Sequence, residues 1–183
     1  SVTKPLSFNR LSNILKSAGA VLGKQTVINY VGYMMDSYML FTLQNYAAKL
    51  VEKETSPKYY FMDTGLLGLM LMDCSSAQLE NLVAIELIRR YGRENVFYFE
   101  KNVEIDFYVP EEKLAIQVSL QVLDQIDTRE REIGAFVKLK NFIGDATCLL
   151  ITNSEEEELD YEGVHVSVVP VWKWLLQNRK QDI

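Results

Sequence analysis

Between residues 103 and 121 the chain alternates twice, VEIDFYV and then LAIQVSLQ, on either side of a short acidic turn containing Glu111 and Glu112. Period-two alternation of this kind predicts two strands joined as a β-hairpin. Successive side chains cross a strand, so Val103, Ile105, Phe107 and Val109 are expected on one face of the first arm, with Glu104, Asp106 and Tyr108 on the other. Leu114, Ile116, Val118 and Leu120 repeat the device against Gln117, Ser119 and Gln121. The hairpin therefore sets Asp106 near Gln117 and Ser119 on a single surface. That surface is either a solvated polar face or the centre of a metal-dependent nuclease core.

Helical periodicity predicts a short helix over residues 7–18, with Phe8, Leu11, Ile14 and Leu15 on one side and Gly19 as a stop. A second helix starts near Lys24, with Val27, Val31 and Met34 inward and Gln25, Asn29 and Gly32 nearer the outside. Strand-like runs follow at 38–43 and 58–62, which would make the wing of a helix-turn-helix unit. An apolar stretch over 66–72 reads as a short helix. Ser75 and Gln78 then form a capping box that opens a helix to Tyr91, with Glu80 in its first turn, where the helix dipole favours a carboxylate. A strand over 96–99 precedes the hairpin. Asp127 and Glu130 cap a helix to about Lys140 whose charged face carries Arg129, Glu130, Arg131 and Glu132. Strands over 146–152 and 164–169 lead to a closing helix over 170–177. The expected fold class is α/β (α+β): a small winged-helix-like domain over 1–62, then a domain over 63–183 with a mixed sheet flanked by helices.

Composition narrows the functions. With 183 residues and 48% hydrophobic content the chain can bury one substantial core, or a medium and a small one. Its net charge of −6 is unevenly spread: seven basic and three acidic residues up to Met62, twelve and twenty-two after it. Only the first part suits nucleic acid, and Lys24, Gln25 and Asn29 on the second helix are the candidate contacts. The acidic run over 155–158, with Asp160 and Glu162, is expected as a solvated loop. Cys74 and Cys148 have neither metal-type spacing nor a disulfide framework, which fits a reducing cytoplasm. The single histidine, His165, falls in an alternating run and is expected on an edge strand, so a zinc site or a histidine-based triad is not supported. The longest apolar candidate, over 65–72, is far short of the roughly twenty residues of a membrane span, and no signal peptide is visible. GAVLGKQT at 19–26 fails as a phosphate-binding loop: its glycines are too close, Gln25 replaces the metal-binding hydroxyl, and the preceding segment is helical.

Several stretches together carry a family resemblance: SFNRLSNIL, KQTVINYVGYMMDSYMLF, KYYFMDTGLL, LENLVAIELIRR, EIDFYV, LAIQVS, TREREI, LLIT and VVPVWKWLL. Over nearly its whole length the chain resembles the C-terminal region, of formally unknown function, of bacterial and archaeal AAA-type ATPases labelled ATP-binding proteins. The resemblance implies an ATPase module ahead of the winged helix in the same polypeptide, so that ATP binding belongs to the full-length protein. It also implies a second half of the restriction-endonuclease type, the PD-(D/E)XK group. Carried over by position, the acidic helix residue falls on Glu80, the strand aspartate on Asp106, and the E-x-K element on Gln117, Val118 and Ser119. Glu80 and Asp106 would be the carboxylates for Mg²⁺. Gln117 offers only a neutral carbonyl, and Ser119 cannot supply the cation that offsets developing charge; Lys101 and Lys138 are candidates for supplying it from elsewhere. The expected role is therefore a non-catalytic targeting or regulatory region that recognises DNA, RNA or a protein partner, with no cofactor of its own and no membrane. The alternatives are a Mg²⁺-dependent endonuclease using Glu80 and Asp106, and an assembly module presenting residues 65–72 or Tyr59, Tyr60 and Phe61. Oligomers are compatible with each.

Overall fold

The computed structural model describes residues 7–17, 19, 22–48, 56–70, 75–123 and 126–177. Along the chain these form α1 (Phe8–Ser17), α2 (Lys24–Asp36), β1 (Leu40–Asn45), β2 (Lys58–Phe61), α3 (Gly65–Met70), α4 (Ser75–Tyr91), β3 (Phe97–Glu100), β4 (Glu104–Val109), β5 (Leu114–Val118), α5 (Ile126–Ile143), β6 (Thr147–Thr152), β7 (Glu157–Tyr161), β8 (Val164–Pro170) and α6 (Val171–Leu176). The strands make one eight-stranded sheet in the order β2-β1-β3-β4-β5-β6-β8-β7. It is mixed: β1–β3, β5–β6 and β6–β8 run parallel and the other neighbours antiparallel. A parallel neighbour needs a crossover, and α5 supplies it between β5 and β6.

Helices cover both faces. On one side Ile133, Phe136 and Leu139 of α5 pack on Ile105, Leu150 and Val166. On the other, Val83 and Leu87 of α4 and Trp174 of α6 pack on Phe107, Ile116 and Ile151. Burial on both faces explains why β6 reads as a continuous apolar run, CLLI, and not as an alternation. Arg90 fixes α6 against α4: its guanidinium lies 4.1 Å from the centre of the Trp174 ring and donates to the Trp174 carbonyl at 3.0 Å.

The mixed sheet with flanking helices is as the pattern predicts, but four details differ. β1 and β2, expected as a wing, pair with each other from Leu40↔Phe61 to Leu43↔Lys58, and β1 also pairs in parallel with β3 at Gln44↔Phe97 and Asn45↔Tyr98. The hairpin before residue 62 and the strands after it thus belong to one sheet. Of the acidic stretch expected as a loop, Glu157–Tyr161 form the edge strand β7, antiparallel to β8, with Leu159 buried and carboxylates around it, while Glu155, Glu156 and Glu162 lie outside the strand. A charged edge discourages pairing with other chains, and that charge hid the strand pattern. Because β7 is the edge, His165 on β8 is not; its ring meets Asp160 at 3.0 Å and Glu158 at 3.1 Å. Its hydrogen bond to Asp160 raises its pKa. Finally, β4 is not a simple alternation: Phe97 faces Tyr108 and Phe99 faces Ile105, so two residues of β3 match three of β4. This bulge puts Ile105 on the α5 side and Phe107 on the α4 side, and leaves Tyr108 buried, not on a polar face.

On α1, Ile14 is 44% exposed although its spacing assigned it to the packed face. Cys148 is a free, buried thiol, and Cys74 and the end of the 66–72 helix lie outside the described residues. Among the described residues no helix is long and apolar enough to cross a membrane.

Candidate functional site

The site forms where β4 and β5 part. Backbone pairing between them runs Val109↔Leu114, Tyr108↔Ala115 and Phe107↔Ile116. Past that point side chains replace the ladder: Gln117 Oε1 accepts from the Asp106 amide at 2.9 Å, Gln117 Nε2 donates to the Glu104 carbonyl at 3.1 Å, and the Val118 amide donates to Asp106 Oδ2 at 2.9 Å. Bulges are a common device for re-aiming a side chain beside a cleft, and the one in β4 lies beside Asp106. The cleft has a volume of about 420 Å³, and its walls include Lys58 of β2, Glu80 of α4 and Glu132 of α5.

Lys58 is at its centre. It opens β2 immediately after Pro57, and two-residue periodicity puts it on the same side as Tyr60. Its Nζ lies 3.1 Å from Glu104 Oε1, 3.6 Å from Asp106 Oδ1 and 3.7 Å from Glu80 Oε1, with the side chain 1% exposed. Burial alone would lower its pKa; the carboxylates of Asp106, Glu80 and Glu104 outweigh that and hold it above the usual lysine value. Asp106 is pushed up by burial, against the pull of Lys58 and the Val118 amide. Tyr60 donates its hydroxyl to Glu80 Oε1 at 2.9 Å, and burial with the adjacent carboxylates keeps that hydroxyl protonated. At the rim Arg131 bonds twice to Glu132 Oε1, at 2.6 and 3.1 Å. Among the described residues no buried side-chain nitrogen or oxygen lacks a partner.

The structure therefore brings Glu80, Asp106 and Gln117 together, as the sequence suggests, and leaves Ser119 out. Ser119 donates its hydroxyl to the Gln121 carbonyl at 3.1 Å and is not in the cleft wall. Glu80 stands in the second turn of α4, so the helix dipole does not account for it; Tyr60 and Lys58 hold it. Glu132, expected on a solvated face, is 8% exposed and turned into the cleft. Of the lysines considered as replacements, Lys138 reaches the cleft wall while Lys101 Nζ lies 5.4 Å from the Phe142 ring centre. The lysine that matters, Lys58, was hidden by distance along the chain. One signal did mark it: a charged residue heading the strand KYYF, whose Tyr60 and Phe61 are buried. Elsewhere, Lys24, Gln25 and Asn29 are exposed on α2, with Gln25 Nε2 donating to Asn29 Oδ1 at 3.1 Å.

A divalent cation does not fit this arrangement while Lys58 is present. The oxygens are spaced for an ammonium at 3.1–3.7 Å, against about 2.0–2.6 Å for Mg²⁺ or Ca²⁺. Gln117 Oε1, the nearest match to a further ligand, already accepts from Asp106. Among the described residues no group of three or more His, Cys, Asp and Glu side chains is arranged to hold a metal ion. The charged groups of the cleft, Lys58, Arg131 and Lys138 against Glu80, Glu104, Asp106, Glu130 and Glu132, leave it acidic.

Comparison with known proteins gives relatives without assigned activity. Residues 1–78 match a family model described as a domain of unknown function (DUF8612), a span that includes Lys58. The chain is similar to uncharacterized protein MJ1544 of Methanocaldococcus jannaschii, 32% identical over 181 residues, covering 93% of this chain and 41% of that protein. The chain thus spans about two-fifths of the length of the curated relative it matches. No solved structure matches.

Proposed function

We propose that this chain is the non-catalytic recognition region of a longer cytoplasmic polypeptide driven by an AAA-type ATPase module. In this reading α2 contacts nucleic acid and the nuclease-like sheet serves as its scaffold. The resemblance of the sequence motifs supports the ATPase setting, and a relative more than twice the length of this chain is compatible with it. One observation carries the loss of catalysis. Both polar ends of Gln117 are spent on the backbone of β4, and Ser119 is bonded outside the cleft. The element that would hold metal and offset charge in a cutting enzyme has become part of the strand pairing. A cleft with five carboxylates and three cations also repels phosphate.

A second reading is favoured by a different observation. Glu80 and Asp106 converge on a basic group, Lys58, that substitutes in space for the lysine missing at Ser119, as a Mg²⁺-dependent endonuclease would require. Incubating the purified chain with supercoiled plasmid and single-stranded DNA in millimolar Mg²⁺ or Mn²⁺ separates the two. No nicking is expected. Nicking that disappears in Asp106→Ala would replace the recognition reading with the enzyme.

A further inference from the structure

The strongest unexplained feature is the Lys58 ammonium itself. A buried amine ordinarily avoids charge, and a buried charge persists only when it is paired. Here the charge is retained at 1% exposure because three carboxylates from two different elements, Glu80 on α4 and Glu104 and Asp106 on β4, surround it. Two of the three are also held by further hydrogen bonds. Tyr60 holds Glu80, and the Val118 amide holds Asp106 Oδ2.

We propose that Lys58 is a built-in counter-ion, standing where a divalent cation would bridge Glu80, Glu104 and Asp106, so that the cleft keeps its shape without metal and becomes a cation site only when Lys58 is removed. The inference rests on the recognition reading and deepens it: the scaffold has exchanged an external ion for an internal one. Three carboxylates converging on one point would repel one another with nothing between them, and the ammonium supplies what holds them. A second cation at that point would meet the buried Lys58 ammonium at close range, where water screens the repulsion only in part. Removing the lysine side chain would leave an anionic cage of oxygens able to close in on a hard divalent ion, Ca²⁺ tolerating the looser geometry better than Mg²⁺.

The test compares thermal unfolding midpoints of the unaltered chain, Lys58→Ala, and Lys58→Ala with Asp106→Asn, each with EDTA and with millimolar Ca²⁺ or Mg²⁺. The unaltered chain is expected to be indifferent to the cation. Lys58→Ala should unfold at a lower temperature in EDTA and recover several degrees in Ca²⁺, and the double variant should lose most of that recovery. A Lys58→Ala protein indifferent to cations would overturn the proposal. So would an unaltered chain that gains as much from Ca²⁺ as the variant does. Should Lys58→Ala not fold, the unaltered chain still decides, because stabilisation of it by the cation refutes an internal replacement. Cation-induced stabilisation of the unaltered chain without DNA cleavage would sink this inference alone, whereas cleavage by it would remove the recognition reading beneath.

Discussion

Gln117 is tied into the strand pairing by both ends of its side chain. A carboxamide has a donor and an acceptor, and this one uses both on β4, accepting from Asp106 and donating to Glu104. A carboxylate in its place could accept from the Asp106 amide but would set an oxygen against the Glu104 carbonyl. It would also add another carboxylate to a cleft that is already acidic. Gln117→Glu should therefore destabilise the fold at neutral pH by about 1–3 kcal/mol, the usual cost of a buried polar group left without its partner. The sign of the pH dependence follows from burial: a carboxyl raised in the folded state is protonated sooner there than in the unfolded chain. Folding is then helped as pH falls, and the deficit should shrink in mildly acidic buffer. Urea unfolding of the two proteins at neutral and mildly acidic pH measures both effects. A variant as stable as its parent at neutral pH would mean that the carboxamide contacts contribute nothing.

At the scale of elements, β2 shows where the sheet depends on a side chain from another layer. Among the described residues it is the edge strand of the sheet, with no further strand beside it. Asn81 of α4, fully buried, completes it: its Oδ1 accepts from the Phe61 amide at 2.7 Å and its Nδ2 donates to the Phe61 carbonyl at 2.9 Å. Asn81→Ala removes both bonds and strands a buried amide and carbonyl together, so a loss of about 2–4 kcal/mol is expected, read as a lower urea midpoint with an unchanged slope. A loss under about half a kcal/mol would show that water or neighbouring groups replace the bonds. Asn81 is also a good example of what local pattern conceals. The existence and start of α4 are legible in its periodicity, since both depend on neighbours in sequence. The role of a polar residue on its buried face depends on a strand twenty residues away. For the same reason β4 and β5 were legible as arms of a hairpin while the bulge that splits Ile105 from Phe107 was not: it is set by pairing with β3. In β7, the charges that protect an exposed edge give the strand the residue pattern of a loop.

Across the whole molecule, charge decides what the chain can meet. The candidate cleft was legible only in part: Glu80, Asp106 and Gln117 lie in recognisable local motifs, whereas Lys58 and Glu132 join it through the tertiary fold alone. That completed cleft is acidic, and the residues after Met62 together carry a net −10. Any nucleic acid must therefore approach from the basic end. Among the described residues of α1 and α2 the exposed cations are Arg10, Lys16 and Lys24. If all three meet phosphates of duplex DNA, each releases about 0.9 of a counterion, and affinity should fall about 40-fold between roughly 50 and 200 mM salt. Lys24→Glu should lower the magnitude of that salt slope by about one and weaken binding at low salt. Gln25→Ala, on the same helix but uncharged, should leave the slope unchanged. Fluorescence anisotropy with labelled duplex across a salt series gives all three numbers. No binding at the lowest salt would exclude nucleic acid, and binding that ignores both salt and Lys24→Glu would place it away from α2. In either case the exposed Tyr30 and Tyr33 of that helix, 54% and 63% accessible, would point to a protein partner instead.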